Sequence, residues 1–76
     1  MDKLYLWDGK HIELEDENGR LWRGYVQIYE DEEDSDEGEE FIALRLHDDP
    51  ENMVGILAHE TKSIREIDPP KRERTL

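Results

Sequence analysis

The segment Arg-Leu-Trp-Arg-Gly-Tyr-Val-Gln-Ile-Tyr, residues 20–29, decides the fold. It is the longest run rich in aromatic and β-branched side chains, the types that suit a pleated, half-buried surface. Trp22, Val26 and Ile28 share one parity, while Leu21, Arg23, Tyr25 and Gln27 share the other. A period of two marks a β-strand with one face buried. Gly24 interrupts the inward row. A glycine within a strand costs stability unless the strand bends or another backbone approaches, and a sharp bend lets a short sheet curl into a barrel.

On the N-terminal side, Asn18-Gly19 is a hairpin signal, because Gly and to a lesser extent Asn tolerate positive φ. Residues 10–15 set Ile12 and Leu14 against His11, Glu13 and Glu15, which reads as the partner strand. Before the turn pair Asp8-Gly9, residues 4–7 read as a short strand or lead-in. On the C-terminal side, nine of the eleven residues 30–40 are Asp or Glu, so most of the net charge of −12 sits in one segment. Adjacent carboxylates repel and bury nothing, which predicts a solvated hairpin loop, with Ser35 and Gly38 adding to its looseness.

Alternation resumes over residues 41–46, with Ile42, Leu44 and Leu46 opposed to Ala43 and Arg45. Residues 53–58 form a short apolar run and residues 63–67 a last short strand; one tight turn or 3₁₀ turn is expected between them. Pro69-Pro70 ends strand pairing, since neither residue can donate a ladder hydrogen bond. No stretch of ten residues shows the i, i+3, i+4, i+7 apolar spacing of a helix. The expected fold is all-β: a five-stranded, strongly bent antiparallel small barrel over residues 1–68, then a flexible basic tail over residues 69–76. Ile12, Leu14, Trp22, Val26, Ile42, Leu44 and Ile64 should meet inside a closed cylinder.

The chain has 76 residues, 34% hydrophobic and 42% charged, with no cysteine. That composition leaves no disulfide, no thiolate metal site and no thiol nucleophile. No segment approaches the ~20 apolar residues of a membrane-spanning helix, and the cytoplasm is the expected compartment. An acidic chain repels nucleic-acid phosphates and anionic lipid, so DNA and membranes are not expected partners.

Asp8-Gly9-Lys10, Ile12, Leu14, Gly19, Trp22, Gly24, Val26 and Tyr29, followed by Lys62-Ser63-Ile64 and Ile67, resemble the Sm-like proteins, whose barrel is of the SH3-like kind. The likeness is narrowest to short acidic bacterial and phage members, and it runs over residues 5–67. It implies a small barrel that can self-associate along strand edges into a homo-oligomer. RNA-binding members carry an Asp, an aromatic or His and an Asn after the bent strand, and an Arg-Gly or similar basic pair before the last strand. Here those places hold Glu30-Asp31-Glu32 and Ala58-His59-Glu60. Carboxylates stand where base contacts are wanted, so no RNA-binding residue carries over.

Candidate chemistry is sparse. The acidic run lacks the spacing of a calcium loop, since Asp34 and Asp36 are followed by Glu37 and Gly38. His47 and His59 should lie at opposite ends of neighbouring strands, and the histidines read as surface or rim residues. No catalytic residue, metal ligand or cofactor is implied. The expected interaction surface comprises Leu21, Tyr25 and Tyr29 together with the acidic Glu32, Glu33, Asp34 and Asp36. Tyr25 has a second reading, packed beneath the N-terminal lead-in. The sequence thus points to a non-enzymatic protein-interaction or self-assembling module. An RNA-binding Sm-like ring and an acidic nucleic-acid mimic that binds a basic protein are the alternatives.

Overall fold

A computed structural model describes residues 3–70. Five strands run in chain order: β1 (His11–Asp16), β2 (Leu21–Glu30), β3 (Phe41–Leu46), β4 (Met53–Leu57) and β5 (Thr61–Glu66). All pairings are antiparallel and form one sheet in the order β4-β3-β2-β1-β5. The all-β architecture and the order of turns are those expected, and β5 begins two residues earlier than the alternation suggested. Residues 71–76 of the expected basic tail lie outside the described residues.

The sheet must curl. Its two edge strands, β4 and β5, are consecutive in the chain and joined only by the 3₁₀ turn Ala58–Glu60. In a flat five-stranded sheet those edges would stand about 19 Å apart at ~4.8 Å per strand, whereas a 3₁₀ connection of this length spans about 8 Å. Among the described residues no ladder joins β4 to β5, so the expected closed cylinder is a curled sheet with two open edges.

Gly24 sits mid-way along β2, where the neighbouring backbone comes close. It pairs with Ile12 on one side and Leu46 on the other, and a Cβ there would lie 2.6 Å from the Arg45 carbonyl oxygen. Three residues on, the β2–β3 register shifts: Val26 faces Leu44, but Ile28 faces Ala43, which leaves Gln27 as a bulge. One extra residue reverses the parity beyond it. Ile28, expected inside, is therefore 40% exposed, while Tyr29 turns toward the core.

Ile12, Leu14, Val26, Ile42 and Leu44 are fully buried, as expected, and Trp22 and Ile64 pack against them from the rim. Ile56 and Leu4 complete the core. Leu4 belongs to a 3₁₀ turn, Leu4–Trp7, where a short strand or lead-in was expected. The Leu4 side chain is 1% exposed and packs against the core of the curled sheet. Its backbone N–H donates to the buried Glu40 carboxylate, which also accepts the Tyr29 hydroxyl at 2.6 Å.

The β1–β2 hairpin is held by one carboxylate. Asp16 Oδ1 accepts the backbone N–H groups of Asn18 and Arg20, and Oδ2 accepts Trp22 Nε1 at 3.0 Å. These bonds, the indole donor first, hold the Asp16 carboxyl below its ordinary pKa. Gly19 completes the turn at φ +84°.

Candidate functional site

The residues expected to form one interaction surface lie in four places. Leu21 is 55% exposed at the start of β2, in a shallow hollow beside Ser63 and Ile64. Tyr25 shares its outward face, but Arg23 stands between them. Arg23 and Arg65 both bind the Glu13 carboxylate, at 2.7 and 2.9 Å, across β2, β1 and β5. The bonds from Arg65 and Arg23 hold the Glu13 carboxyl below its usual range. An ion-paired bar thus separates the two apolar residues, and no continuous Leu21–Tyr25 patch exists.

Tyr29 does not line an outer surface. Its hydroxyl points to Glu40, and the hydrogen bond to that carboxylate, with burial, pushes the phenol pKa upward. Glu32, Glu33, Asp34 and Asp36 are exposed. The segment that bears them is more ordered than a loose loop. Asp31 Oδ1 accepts the N–H groups of Glu33 and Asp34, and Ser35 N–H donates to the Asp31 carbonyl. Ser35, expected to loosen the segment, is 8% exposed, and its Oγ accepts the Glu37 N–H.

Two surfaces emerge instead. The first is the pair of sheet edges. In β4, Val54 and Ile56 stand in the hydrogen-bonded register with Leu44 and Ile42, since the flanking pairs Leu46–Asn52 and Glu40–Ala58 are bonded in the same phase. The backbones of Met53 and Gly55 therefore face away from β3. The third outward N–H, that of Leu57, is taken by the Glu60 carboxylate. In β5 the bond from Ile67 N–H to the His11 carbonyl sets the phase, so Ile64 and Glu66 face away from β1. Both edges present two outward peptide groups at two-residue spacing.

The edges differ chemically. β4 reads Met-Val-Gly-Ile-Leu without a charge or proline, whereas β5 carries Lys62, Arg65 and Glu66. Lys, charge and proline are the usual guards of an exposed edge, and β4 lacks all of them.

The second surface is an open-sided groove of about 310 Å³ on the outer face of the sheet. Tyr25, Leu46, Pro50 and Pro70 give it apolar walls, and Arg45, His11 and His47 give it polar ones. The register places Tyr25 between His11 and Arg45 on adjacent strands. The His11 and Tyr25 rings lie 5.0 Å apart. His11 Nδ1 and His47 Nε2 are hydrogen-bonded at 2.9 Å, which requires a proton on one nitrogen and a lone pair on the other. Burial first, then the adjacent His11, holds the His47 pKa below its ordinary value; Asp48 opposes this and Arg23 adds to it.

His59 lies elsewhere, as expected, bound to the Glu39 carboxylate at 2.9 Å, and that bond raises its pKa. The His11–His47 meeting was not expected. Thirty-six residues separate them, and only the β1–β2–β3 register brings them together. Among the described residues no group of three or more His, Cys, Asp or Glu side chains is arranged to hold a metal ion. No helix among them is long and apolar enough to cross a membrane.

No family model matches this chain, and neither the curated proteins nor the solved structures yield a significant match.

Proposed function

We propose that this protein is a non-enzymatic module that assembles with copies of itself through its sheet edges, β5 of one copy pairing with β4 of the next. The observation that carries the reading is the uncharged, unguarded β4 edge, with the Met53 and Gly55 peptide groups turned outward. Its complement lies at the other end of the same sheet, where Ile64 and Glu66 offer outward groups at matching spacing. Lys62, Arg65 and Glu66 lie along β5, the two cations shared with Glu15 and Glu13 of β1, while the acidic segment abuts the end of β4, where the Glu40 carbonyl accepts the Ala58 N–H and Glu39 holds His59.

An edge that pairs with a different edge is a heterologous contact, which builds rings when the rotation closes. The resemblance of Gly24, Trp22, Val26 and Lys62-Ser63-Ile64 to the Sm-like pattern supports the same reading.

Light scattering over a range of concentrations tests it. Assembly requires a molar mass that is a multiple of the 9.1 kDa chain. Met53→Pro removes an outward donor at the first residue of β4, where proline is tolerated and no β3–β4 bond is lost. That variant should shift the mass toward one chain. A constant 9.1 kDa for the unaltered protein at every concentration would remove the proposal.

A further inference from the structure

The groove beside Tyr25 lies on the outer face of the sheet and meets the β4 edge where Arg45 approaches Met53, and its electrostatics run against those of the molecule. The chain carries −12, yet among the described residues that line the groove the one permanently charged side chain is Arg45. Among the described residues Arg45 has no carboxylate within ion-pair distance, although Lys3, Lys10, Arg23, Lys62 and Arg65 each have one. Its partners are uncharged instead. Nε donates to Gln27 Oε1, Nη1 to the Pro50 carbonyl, and Nη2 approaches the Met53 sulfur.

Gln27 is available for this because it is the bulge residue of β2. The bulge thus supplies a neutral clamp that fixes the guanidinium without cancelling its charge. A fork held this way loses little freedom on binding, and two of its five N–H donors remain unassigned. The His11–His47 pair adds a second wall that carries N–H donors.

From this geometry we infer that the groove receives a carboxylate carried on an extended, otherwise apolar peptide segment of a partner protein. The carboxylate meets Arg45, and its aliphatic neighbours lie on Tyr25, Leu46 and Pro50. The open side argues for a peptide: small-molecule sites enclose most of their ligand, and this half-open hollow of about 310 Å³ does not. The net charge of −12 works against such a ligand overall, so the Arg45 guanidinium also fixes where it lands.

Titrating the intact protein with the blocked tripeptides acetyl-Leu-Glu-Leu-amide and acetyl-Leu-Gln-Leu-amide, read by amide and side-chain NMR shifts, tests the assignment. The glutamate peptide should shift signals of His11, Tyr25, Arg45, Leu46 and His47, and bind about tenfold more tightly than its glutamine twin, the size of one charge-assisted contact. Arg45→Gln should abolish the difference between the two peptides. Equal binding of both peptides to the unaltered protein would overturn the carboxylate, and shifts elsewhere, or none at millimolar peptide, would overturn the groove. The comparison of peptides on the unaltered protein decides the matter even if the variant fails to fold.

Discussion

The backbone of Arg45 passes so close to Gly24 that a methyl group on Gly24 would lie 2.6 Å from the Arg45 carbonyl oxygen. The obstacle is main chain from the neighbouring strand, held by the β2–β3 ladder, and it cannot swing aside. At Gly55 an added Cβ would also fall 2.6 Å from its nearest atom, but that atom belongs to the Phe41 ring, which can rotate. Gly24→Ala should therefore cost about 1–3 kcal/mol, the range of forced overpacking, and Gly55→Ala distinctly less. Urea denaturation of the two variants checks the order; equal losses would mean that the bend at Gly24 tolerates a side chain.

Tyr29 and Leu4 are tied to one acceptor, Glu40. Tyr29→Phe leaves the ring in place and takes one donor from a carboxylate that is 8% exposed. Loss of a hydrogen bond to a charged group predicts a destabilisation of about 1.5–3 kcal/mol. Glu40→Gln should cost less than Glu40→Ala, because the amide oxygen still accepts one of the two bonds. Denaturant midpoints with unchanged m-values are the measurement.

His47 and His59 give opposite pH trends. The His47 pKa is lowered in the fold, so the unfolded chain binds its proton more readily. Its contribution is full above the ordinary value of 6.5 and is lost as the pH falls through that value toward the lower folded one. The groups acting on it are His11 from β1, Arg23 from β2 and Asp48 beside it. The His59 pKa is raised by Glu39, so its contribution is present below 6.5 and fades as the pH rises through the folded value. Melting temperatures at pH 5.5 and 7.5 should show His47→Gln narrowing the acid-side loss and His59→Gln narrowing the alkaline-side loss. Identical profiles for both variants would contradict the assignment.

The strands were legible in the sequence because each carries its own period. Ile12 and Leu14, Val26, then Ile42 and Leu44 announce one inward face apiece, and all are buried. What escaped was whatever breaks the period or spans the chain. The bulge at Gln27 reverses parity without a glycine or proline to mark it, which put Ile28 on the wrong face and Tyr29 in the interaction surface. A four-residue 3₁₀ turn is too short to show the i, i+3, i+4, i+7 apolar spacing, so Leu4 gave no signal of burial. Ser35 is buried although its segment's composition suggests looseness, because local carboxylate-to-backbone bonds order that segment. The groove has no signature in sequence, since Arg45, His11 and His47 meet only through strand register.

Hydrogen exchange at the outward amides of Met53 and Gly55, followed as the protein is concentrated, bears most directly on edge pairing. If β5 of a second copy closes that edge, these amides and those of Ile64 and Glu66 should become protected together as concentration rises, while Val54 and Ile56, bonded to β3, stay protected throughout. Rapid exchange at Met53 and Gly55 at every concentration would show the β4 edge open in solution and contradict the assembly.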